Sequence, residues 1–264
     1  MHRAVVVVLC LVGVGLVVVV TVFLVRFGPF LWSDRRVVRR GLTTDPLVPK
    51  IIHQTWKSRG ELRPYQQRSL QLAADHYSAY EHRFWSDADL EAFVAREFPQ
   101  FHADTWTRLT PFIKKVDTAR YMILFVYGGI YLDIDLMVER SLEPLLDVPG
   151  AAYVPAMNPW FLWGRNADAA SPAVLASAPR NPFWLRMLTY IQEHHTPEYL
   201  EAHPREEVIQ ATGPIAVANV LQQVRKDGPP LVLLSESRMG LGAVKRLCHK
   251  YSFHENRHQE TWRA

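Results

Sequence analysis

Cysteine is scarce in this sequence, and its scarcity excludes a disulfide framework. Only two of the 264 residues are cysteines. Cys10 lies in an apolar N-terminal run, which leaves Cys248 alone, so cysteine usage does not define the redox compartment. The sequence also lacks an Asn-x-Ser/Thr sequon, an absence that fits either side of a membrane.

Nucleic-acid-binding signatures, internal repeats and low-complexity linkers are absent as well. The formal net charge is +4, but apart from one cluster the basic residues are scattered along the chain. We therefore interpret the charge as favouring phosphates or anionic surfaces, and not nucleic acid. The lack of a linker favours one folded domain.

The longest apolar run covers residues 4–25 and contains no charged residue. At 1.5 Å per residue a helix of this length spans about 33 Å, enough to cross the hydrocarbon core of a bilayer. A cleaved signal peptide is the alternative, but its apolar region is shorter and ends in a small-residue cleavage site. The sequence thus predicts a short tail over residues 1–3, an anchor over 4–25, a basic juxtamembrane stem over 26–47 and a catalytic domain over 48–264.

The orientation of this anchor is ambiguous. Arginines are concentrated after the apolar run, at positions 26, 35, 36, 39 and 40. By the positive-inside rule, they place the catalytic domain in the cytosol. Alternatively, the cluster lies against anionic headgroups.

The folded part begins with an alternation of strand and helix patterns. Residues 51–56 and 80–85 have strand composition, and residues 64–74 and 86–97 have helix composition, with Ser86 as the N-cap. This order predicts an α/β fold with a parallel sheet covered on both faces.

Residues 117–135 carry the strongest chemical signal. A helix over residues 114–127 ends at Gly128 and Gly129, which suit a left-handed cap, and a strand follows. Alternation along residues 130–135 predicts that Tyr131, Asp133 and Asp135 share one face.

Two carboxylates at a strand end suit Mn²⁺ or Mg²⁺, because both cations prefer oxygen ligands. An isolated Asp-x-Asp is more often a solvated turn. Asp117 and Arg120 lie three residues apart on one helical face, where they either form a surface ion pair or point together at a ligand.

Two further segments have open interpretations. The segment with Trp160 and Trp163 is either a hydrophobic plug or a loop that contacts the acceptor or the membrane. His254 and His258 have the spacing of zinc ligands on a helix, but no third soft ligand accompanies them, which favours surface histidines.

Together these pieces resemble a known family. They resemble the Asp-x-Asp glycosyltransferases, a family that includes fungal inositol phosphoceramide mannosyltransferases and the mannosyltransferase that initiates yeast outer chains. The resemblance covers most of residues 48–262 and is carried by residues 48–56, 117–121, 128–135, 181–184, 212–214 and 261–262. One departure is Thr261-Trp262, where family members often have Ser-Trp.

The resemblance implies a GT-A-like, Rossmann-like nucleotide-sugar-binding domain. It implies that Asp133 and Asp135 bind the metal, Asp135 as the principal ligand, and that these two residues and Arg120 are catalytic. The implied donor-binding residues are Trp56, Asp117, Arg120, Tyr131, Asp133, Thr261 and Trp262. Trp160 and Trp163 are the expected acceptor contacts.

The expected activity is metal-dependent, retaining transfer of a hexose, mannose favoured, from a nucleotide sugar. GDP-mannose is the favoured donor, with a UDP-sugar as the alternative. The expected acceptor is a lipid such as inositol phosphoceramide, with a protein-linked or free glycan as the alternative. The resemblance also favours the Golgi or another endomembrane, in a lumen-facing arrangement that conflicts with the arginine pattern. A tethered sugar-binding protein without turnover and a divalent-metal phosphohydrolase are the rival classes.

Overall fold

The computed structural model describes residues 35–156, 172–202, 208–224, 228–235 and 244–246 of the chain. The strands are β1 (Arg35–Arg39), β2 (Ile51–Thr55), β3 (Glu81–Trp85), β4 (Gly129–Leu132), β5 (Leu136–Val138), β6 (Ala152–Ala156), β7 (Val174–Ser177), β8 (Leu231–Ser235) and β9 (Val244–Arg246). The helices are α1 (Pro64–His76), α2 (Asp87–Glu97), α3 (Pro99–Asp104), α4 (Ile113–Tyr127), α5 (Pro182–Glu193), α6 (Pro197–Ala202), α7 (Val208–Ala211) and α8 (Pro214–Gln223). Three short 3₁₀ turns cover Arg59–Glu61, Trp106–Arg108 and Glu143–Leu145.

Seven strands form the main sheet, in the order β1-β8-β6-β7-β4-β2-β3, and β5 pairs with β9 in a separate ribbon. The α/β prediction is confirmed, but the prediction of a parallel sheet is wrong. Strands β2, β3 and β4 are mutually parallel, as are β6 and β8. Strand β7 is antiparallel to both of its neighbours, and β1 is antiparallel to β8. Strands β7 and β8 are joined through helices and yet are antiparallel, so the strand–helix alternation near the N-terminus describes only part of the sheet.

Both faces of the sheet are covered, as predicted. On one face, helices α2, α4, α5 and α8 pack around buried aromatic side chains that include Tyr121, Tyr131 and Trp184. On the other, α1 and the chain after β4 pack around Ile52, Leu136 and other apolar residues. The Asp-x-Asp segment lies where these two layers meet.

Strand β1 corrects the predicted stem. We predicted that residues 26–47 precede the fold, yet Arg35–Arg39 forms an edge strand that pairs with β8. Val37 packs against the core, and the Arg35 guanidinium donates to the Leu145 carbonyl at 2.5 Å and also binds Asp147. Alternation along this basic stretch thus directs one apolar side chain and one paired arginine toward the protein.

The junction between α4 and β4 is made by Gly128 and Gly129, as predicted. Both have positive φ, +65° and +93°. A Cβ atom at Gly128 would lie 2.7 Å from the Ser177 carbonyl oxygen, and one at Gly129 would lie 2.6 Å from the Ile51 carbonyl oxygen. The turn therefore needs glycine both for its conformation and for the close approach of neighbouring backbone.

Among the residues described, no helix is long and apolar enough to cross a bilayer. The anchor predicted over residues 4–25 lies outside the described residues and remains a prediction.

Candidate active site

The Asp-x-Asp motif occupies a turn at the carboxyl end of β4. Strand pairing stops at Leu132, and the Leu136 amide donates to the Asp133 carbonyl at 3.1 Å. The predicted strand through Asp135 is therefore too long, because this hydrogen bond closes a turn in place of continued pairing. Ile134 is buried, while Asp133 and Asp135 are half-buried. Both carboxylates thus stand at the sheet edge, as the motif predicted.

Arg120 connects this turn to helix α4. Its Nη1 lies 3.2 Å from Asp133 Oδ1 and donates to the Pro172 carbonyl at 2.9 Å. Its Nη2 lies 2.7 Å from Asp117 Oδ1. The Arg120 side chain is 4% exposed, so the interpretation of Asp117 and Arg120 as a surface ion pair is wrong. A planar guanidinium suits this role because its donors diverge in one plane.

The charge of Arg120 is maintained despite its burial. Desolvation lowers the pKa of the guanidinium, but the negative charges of Asp133 and Asp117 raise it above its ordinary value. Arg120 therefore keeps a fixed positive charge next to the Asp-x-Asp turn at every physiological pH.

Tyr131 lies directly beneath this guanidinium. The Arg120 Cζ atom is 4.8 Å from the centre of the Tyr131 ring, and the Tyr131 hydroxyl is 2.9 Å from Thr55 Oγ1. Burial raises the pKa of the Tyr131 phenol, so the hydroxyl stays neutral. A cation over an aromatic face is electrostatically favourable when both are desolvated. The Tyr131 ring therefore stabilises the Arg120 guanidinium in the position where it pairs with Asp133.

Thr212 holds Asp117 from the opposite side. Its hydroxyl donates to Asp117 Oδ2 at 2.9 Å, and its carbonyl accepts from the Tyr121 hydroxyl at 2.7 Å. With Arg120 bound to the other oxygen, both oxygens of the buried Asp117 carboxylate have partners. The sequence alone indicated no role for the motif at residues 212–214. The structure shows that it contributes this contact between Thr212 and Asp117.

His53 is a buried residue that sequence reasoning did not assign. Its Nε2 is 2.9 Å from the Gly128 carbonyl, and Trp85 Nε1 donates to its Nδ1 at 3.2 Å. These partners define a neutral tautomer in which Nε2 donates and Nδ1 accepts. Burial lowers the pKa of His53 to about 4, so this tautomer persists at neutral pH.

Trp56 follows β2 at the same sheet edge as Asp133. It is half-buried, and its Nε1 donates to the Glu61 carbonyl at 3.2 Å. The structure therefore brings Asp117, Tyr131 and Asp133 into contact with Arg120, and it places Trp56 and Asp135 after the ends of the neighbouring strands β2 and β4. Trp160, Trp163, Thr261 and Trp262 lie outside the described residues, as do His254 and His258.

The two motif carboxylates fit a hard divalent cation. Within the described ranges no group of three or more His, Cys, Asp or Glu side chains could hold a metal ion. Mg²⁺ and its analogues often bind through one or two carboxylates and complete their shell with phosphate oxygens and water. The oxygen-only chemistry of Asp133 and Asp135 suits such a cation, provided that a phosphorylated ligand supplies further oxygens.

The sequence has detectable relatives. A family described as "Glycosyltransferase sugar-binding region containing DXD motif" matches residues 64–150. A mannosyl phosphorylinositol ceramide synthase of Saccharomyces cerevisiae is 32% identical over 180 residues, which cover 68% of this chain and 44% of that protein. Inositol phosphoceramide mannosyltransferase 3 of Schizosaccharomyces pombe is 32% identical over 186 residues, which cover 68% of this chain and 46% of that protein.

These alignments span less than half of each relative. Among solved structures, the PaToxG glycosyltransferase has a TM-score of 0.46 at 16% identity, covering 68% of this chain and 71% of the other. The assignment therefore depends on the sequence relatives and on the matched segment, which contains α4, Arg120 and the Asp-x-Asp turn. Through residues 64–150, the chain belongs to the family of glycosyltransferase sugar-binding regions that contain a DXD motif.

Proposed function

We propose that the chain is a metal-dependent, retaining glycosyltransferase that transfers a hexose, mannose favoured, from a nucleotide sugar to a lipid such as inositol phosphoceramide. The observation that carries the proposal is the Arg120 bridge, which ties Asp133 to the buried Asp117. A solvated surface turn does not require such support. The printed names of two relatives, an inositol phosphoceramide mannosyltransferase and a mannosyl phosphorylinositol ceramide synthase, support the choice of sugar and acceptor.

The proposed metal site consists of Asp133 and Asp135. When bound, Mn²⁺ or Mg²⁺ supplies positive charge that stabilises the departing nucleoside diphosphate. The chain contributes the two carboxylates from one turn, in which Arg120 holds the Asp133 side chain and the hydrogen bond from the Leu136 amide to the Asp133 carbonyl holds the backbone. Preorganised charge of this kind is often the largest catalytic contribution, because no reorganisation is needed during the reaction.

Burial changes the roles that we propose for three predicted donor contacts. Asp117, Arg120 and Tyr131 were expected to touch the donor, but their side chains are almost fully enclosed. We propose that they position the Asp-x-Asp turn, and that the guanidinium of Arg120 stays permanently charged next to it. Trp56, half-buried at the same edge, is the proposed contact to the base.

We propose that the transfer retains the configuration of the anomeric carbon. We assign no side-chain nucleophile and propose attack by the acceptor hydroxyl on the same face of the sugar that the diphosphate leaves. The fold type that we propose is GT-A-like, because the carboxylates stand at the end of a strand parallel to β2 and β3. Nucleotides typically bind outside the carboxyl ends of such strands.

The proposed setting is an endomembrane such as the Golgi, with residues 4–25 as the anchor. A membrane-bound enzyme and a lipid acceptor are mutually consistent, since both are confined to one surface. Transfer to a protein-linked or free glycan is the second candidate acceptor class. A tethered sugar-binding protein without turnover is the third candidate.

The test uses the full chain in detergent with Mn²⁺ and a panel of GDP- and UDP-sugars, each with inositol phosphoceramide or with a mannose oligosaccharide. We expect release of GDP from GDP-mannose and mannosylation of the lipid, both abolished by excess chelator. Turnover that persists in chelator would refute the metal assignment. Binding of a sugar nucleotide without turnover on either acceptor would favour the sugar-binding protein.

A further inference from the structure

Gln66 presents a buried hydrogen-bond donor without an acceptor. The residue is 0% exposed, and among the described residues its Nε2 has no hydrogen-bond partner. Its Oε1 accepts from the Arg63 backbone amide at 2.8 Å. Buried polar atoms in native proteins are almost always satisfied, so an orphaned amide nitrogen requires a physical explanation.

The orientation of this amide is set by its surroundings. If the oxygen and nitrogen were exchanged, the Gln66 NH₂ group would face the Arg63 N–H, and two donors would meet. The hydrogen bond to Arg63 therefore fixes the oxygen on the side of the helix N-terminus. Consequently the NH₂ group is held in the interior as a donor.

The contacts of α1 show what lies near this donor. Ser69, one helical turn after Gln66, donates from Oγ to the Leu136 carbonyl at 2.5 Å. Further along, the Leu142 amide donates to the hydroxyl of Tyr77, which follows α1. Helix α1 and residues 136–142 therefore run side by side in the same direction.

This alignment places the Asp-x-Asp turn beside Gln66. Gln66 lies three residues before Ser69, which is about 4.5 Å toward the N-terminus of α1. The corresponding step back along the neighbouring chain leads from Leu136 to Asp135. Helix α1 thus borders the turn on the face of the sheet opposite Arg120, which approaches from α4.

We propose that Gln66 is a positioning residue of the metal site, and that its Nε2 donates to the Asp135 carboxylate when that carboxylate binds a divalent cation. The inference rests on the proposed function. An amide N–H cannot ligate a cation, so Gln66 acts only through Asp135. Carboxylates that bind metals are usually oriented by hydrogen bonds from a surrounding shell of residues. Ser69 fixes the backbone just after Asp135, and Gln66 supplies the side-chain donor.

The proposal predicts a separation between stability and cation binding. In the metal-free chain the orphaned donor is unfavourable, so its removal offsets the loss of the hydrogen bond from the Arg63 amide to Oε1, and the melting temperature should change little. In the metal-bound chain the same donor supports a ligand, so its removal should weaken the site. If Gln66 only stabilised the fold, its removal would lower the melting temperature and leave cation binding unchanged.

The test compares Gln66→Met with Gln67→Met in the full chain in detergent. Gln67 is the adjacent exposed residue, whose Nε2 donates to the Leu62 carbonyl, and it serves as the matched control. Mn²⁺ binding is measured by the electron paramagnetic resonance signal of the free ion, with Asp135→Ala as the baseline. The melting temperature of each metal-free variant is measured in parallel.

We expect Gln66→Met to weaken Mn²⁺ binding about 10- to 100-fold with little change in the melting temperature. Gln67→Met should change neither quantity. Should Gln66→Met fail to fold, Gln66→Leu provides the same test. Unchanged Mn²⁺ affinity in a folded Gln66 variant would overturn the inference and leave the proposed function intact. If the unsubstituted chain binds no more Mn²⁺ than Asp135→Ala, the metal site itself fails, and the inference fails with it.

Discussion

Arg120 and Asp133 form an ion pair, 3.2 Å from Nη1 to Oδ1, between a helix and the turn that follows a strand. The same guanidinium neutralises Asp117, which is buried. Removal of a buried partner leaves an uncompensated charge in the interior. Arg120 therefore contributes both to the site and to folding.

We expect Arg120→Ala to lower the free energy of unfolding by about 3–5 kcal/mol, because it strands the Asp117 carboxylate. Transfer activity should be lost as well, since Asp133 loses its orienting partner. Urea denaturation at pH 7 measures the first effect. Arg108→Ala, at an exposed arginine, should shift the same curve by no more than about 0.5 kcal/mol. Equal midpoints for the two variants would contradict the structural role of Arg120.

Asp135→Ala should abolish activity and leave folding largely unchanged, unlike Arg120→Ala, which should lower both. The carboxylate is only half-buried in a turn, so we expect a change in stability within about 1 kcal/mol. Activity with Mn²⁺ should fall below detection if Asp135 is the principal ligand. Glu139→Ala, at an exposed carboxylate four residues later, is the control and should retain activity. Retained turnover in Asp135→Ala would disprove the proposed ligand.

We expect the buried, neutral His53 to make the free energy of unfolding fall as the pH falls. Its pKa in the folded chain is lowered to about 4, whereas a solvated histidine titrates near 6.5. Below pH 6.5 the unfolded state gains a proton that the folded state does not bind. The stability contributed by neutral His53 is therefore complete above about pH 6.5 and is lost as the pH falls toward 4. The loss is on the order of 3 kcal/mol over that window.

Denaturation curves at pH 7, 6, 5 and 4.5 test this expectation against His53→Gln. The pKa of His195 is lowered to about 4 by burial as well, but His195 is present in both proteins and its contribution cancels in the comparison. We expect the variant to lose less stability than the unsubstituted chain between pH 6.5 and 4.5. Parallel pH profiles would show that His53 takes up its proton at the same pH in the folded and unfolded states, which would refute the lowered pKa.

Because β1 pairs with β8, we predict that the chain can be truncated at its N-terminus only up to the start of β1. A chain that starts at residue 34 keeps β1, whereas one that starts at residue 43 loses Val37 from the core and exposes the edge of β8. We expect the shorter chain to be less stable by about 1 kcal/mol, because Val37 is partly buried and contributes less than a fully buried aliphatic side chain. It should also self-associate more, since unpaired edges template pairing. Thermal melting and size-exclusion chromatography of the two chains provide the comparison; equal behaviour would mean that β1 adds nothing.

Local features of the fold were predictable because they depend on neighbouring residues. Ser86 caps α2 through its Oγ, which accepts from the Asp89 amide, as its residue type and position indicated. Asn181 caps α5 in the same way through its contact with the Phe183 amide. The bounds of α4 differ from the prediction by one residue. In each case a capping side chain or a glycine marks the boundary within a few residues.

Pairings between distant residues were not predictable from these patterns. The contact of Thr55 with Tyr131 joins residues 76 apart, and that of Thr212 with Asp117 joins residues 95 apart. Sheet order is a similar case, because hydropathy alternation gives each strand its faces but not its neighbours. The motif turn also ended its strand early through a backbone hydrogen bond, which leaves no mark in composition.

The position of β1 also limits how far the domain can move from the proposed anchor. Once Arg35–Arg39 is hydrogen-bonded into the sheet, only residues 26–34 remain between the apolar run and the fold. Nine fully extended residues reach about 30–32 Å. A domain on so short a tether cannot search the surrounding solution widely, so its accessible substrates are those presented close to the same bilayer. This confinement favours a lipid headgroup over a freely diffusing glycan as the acceptor.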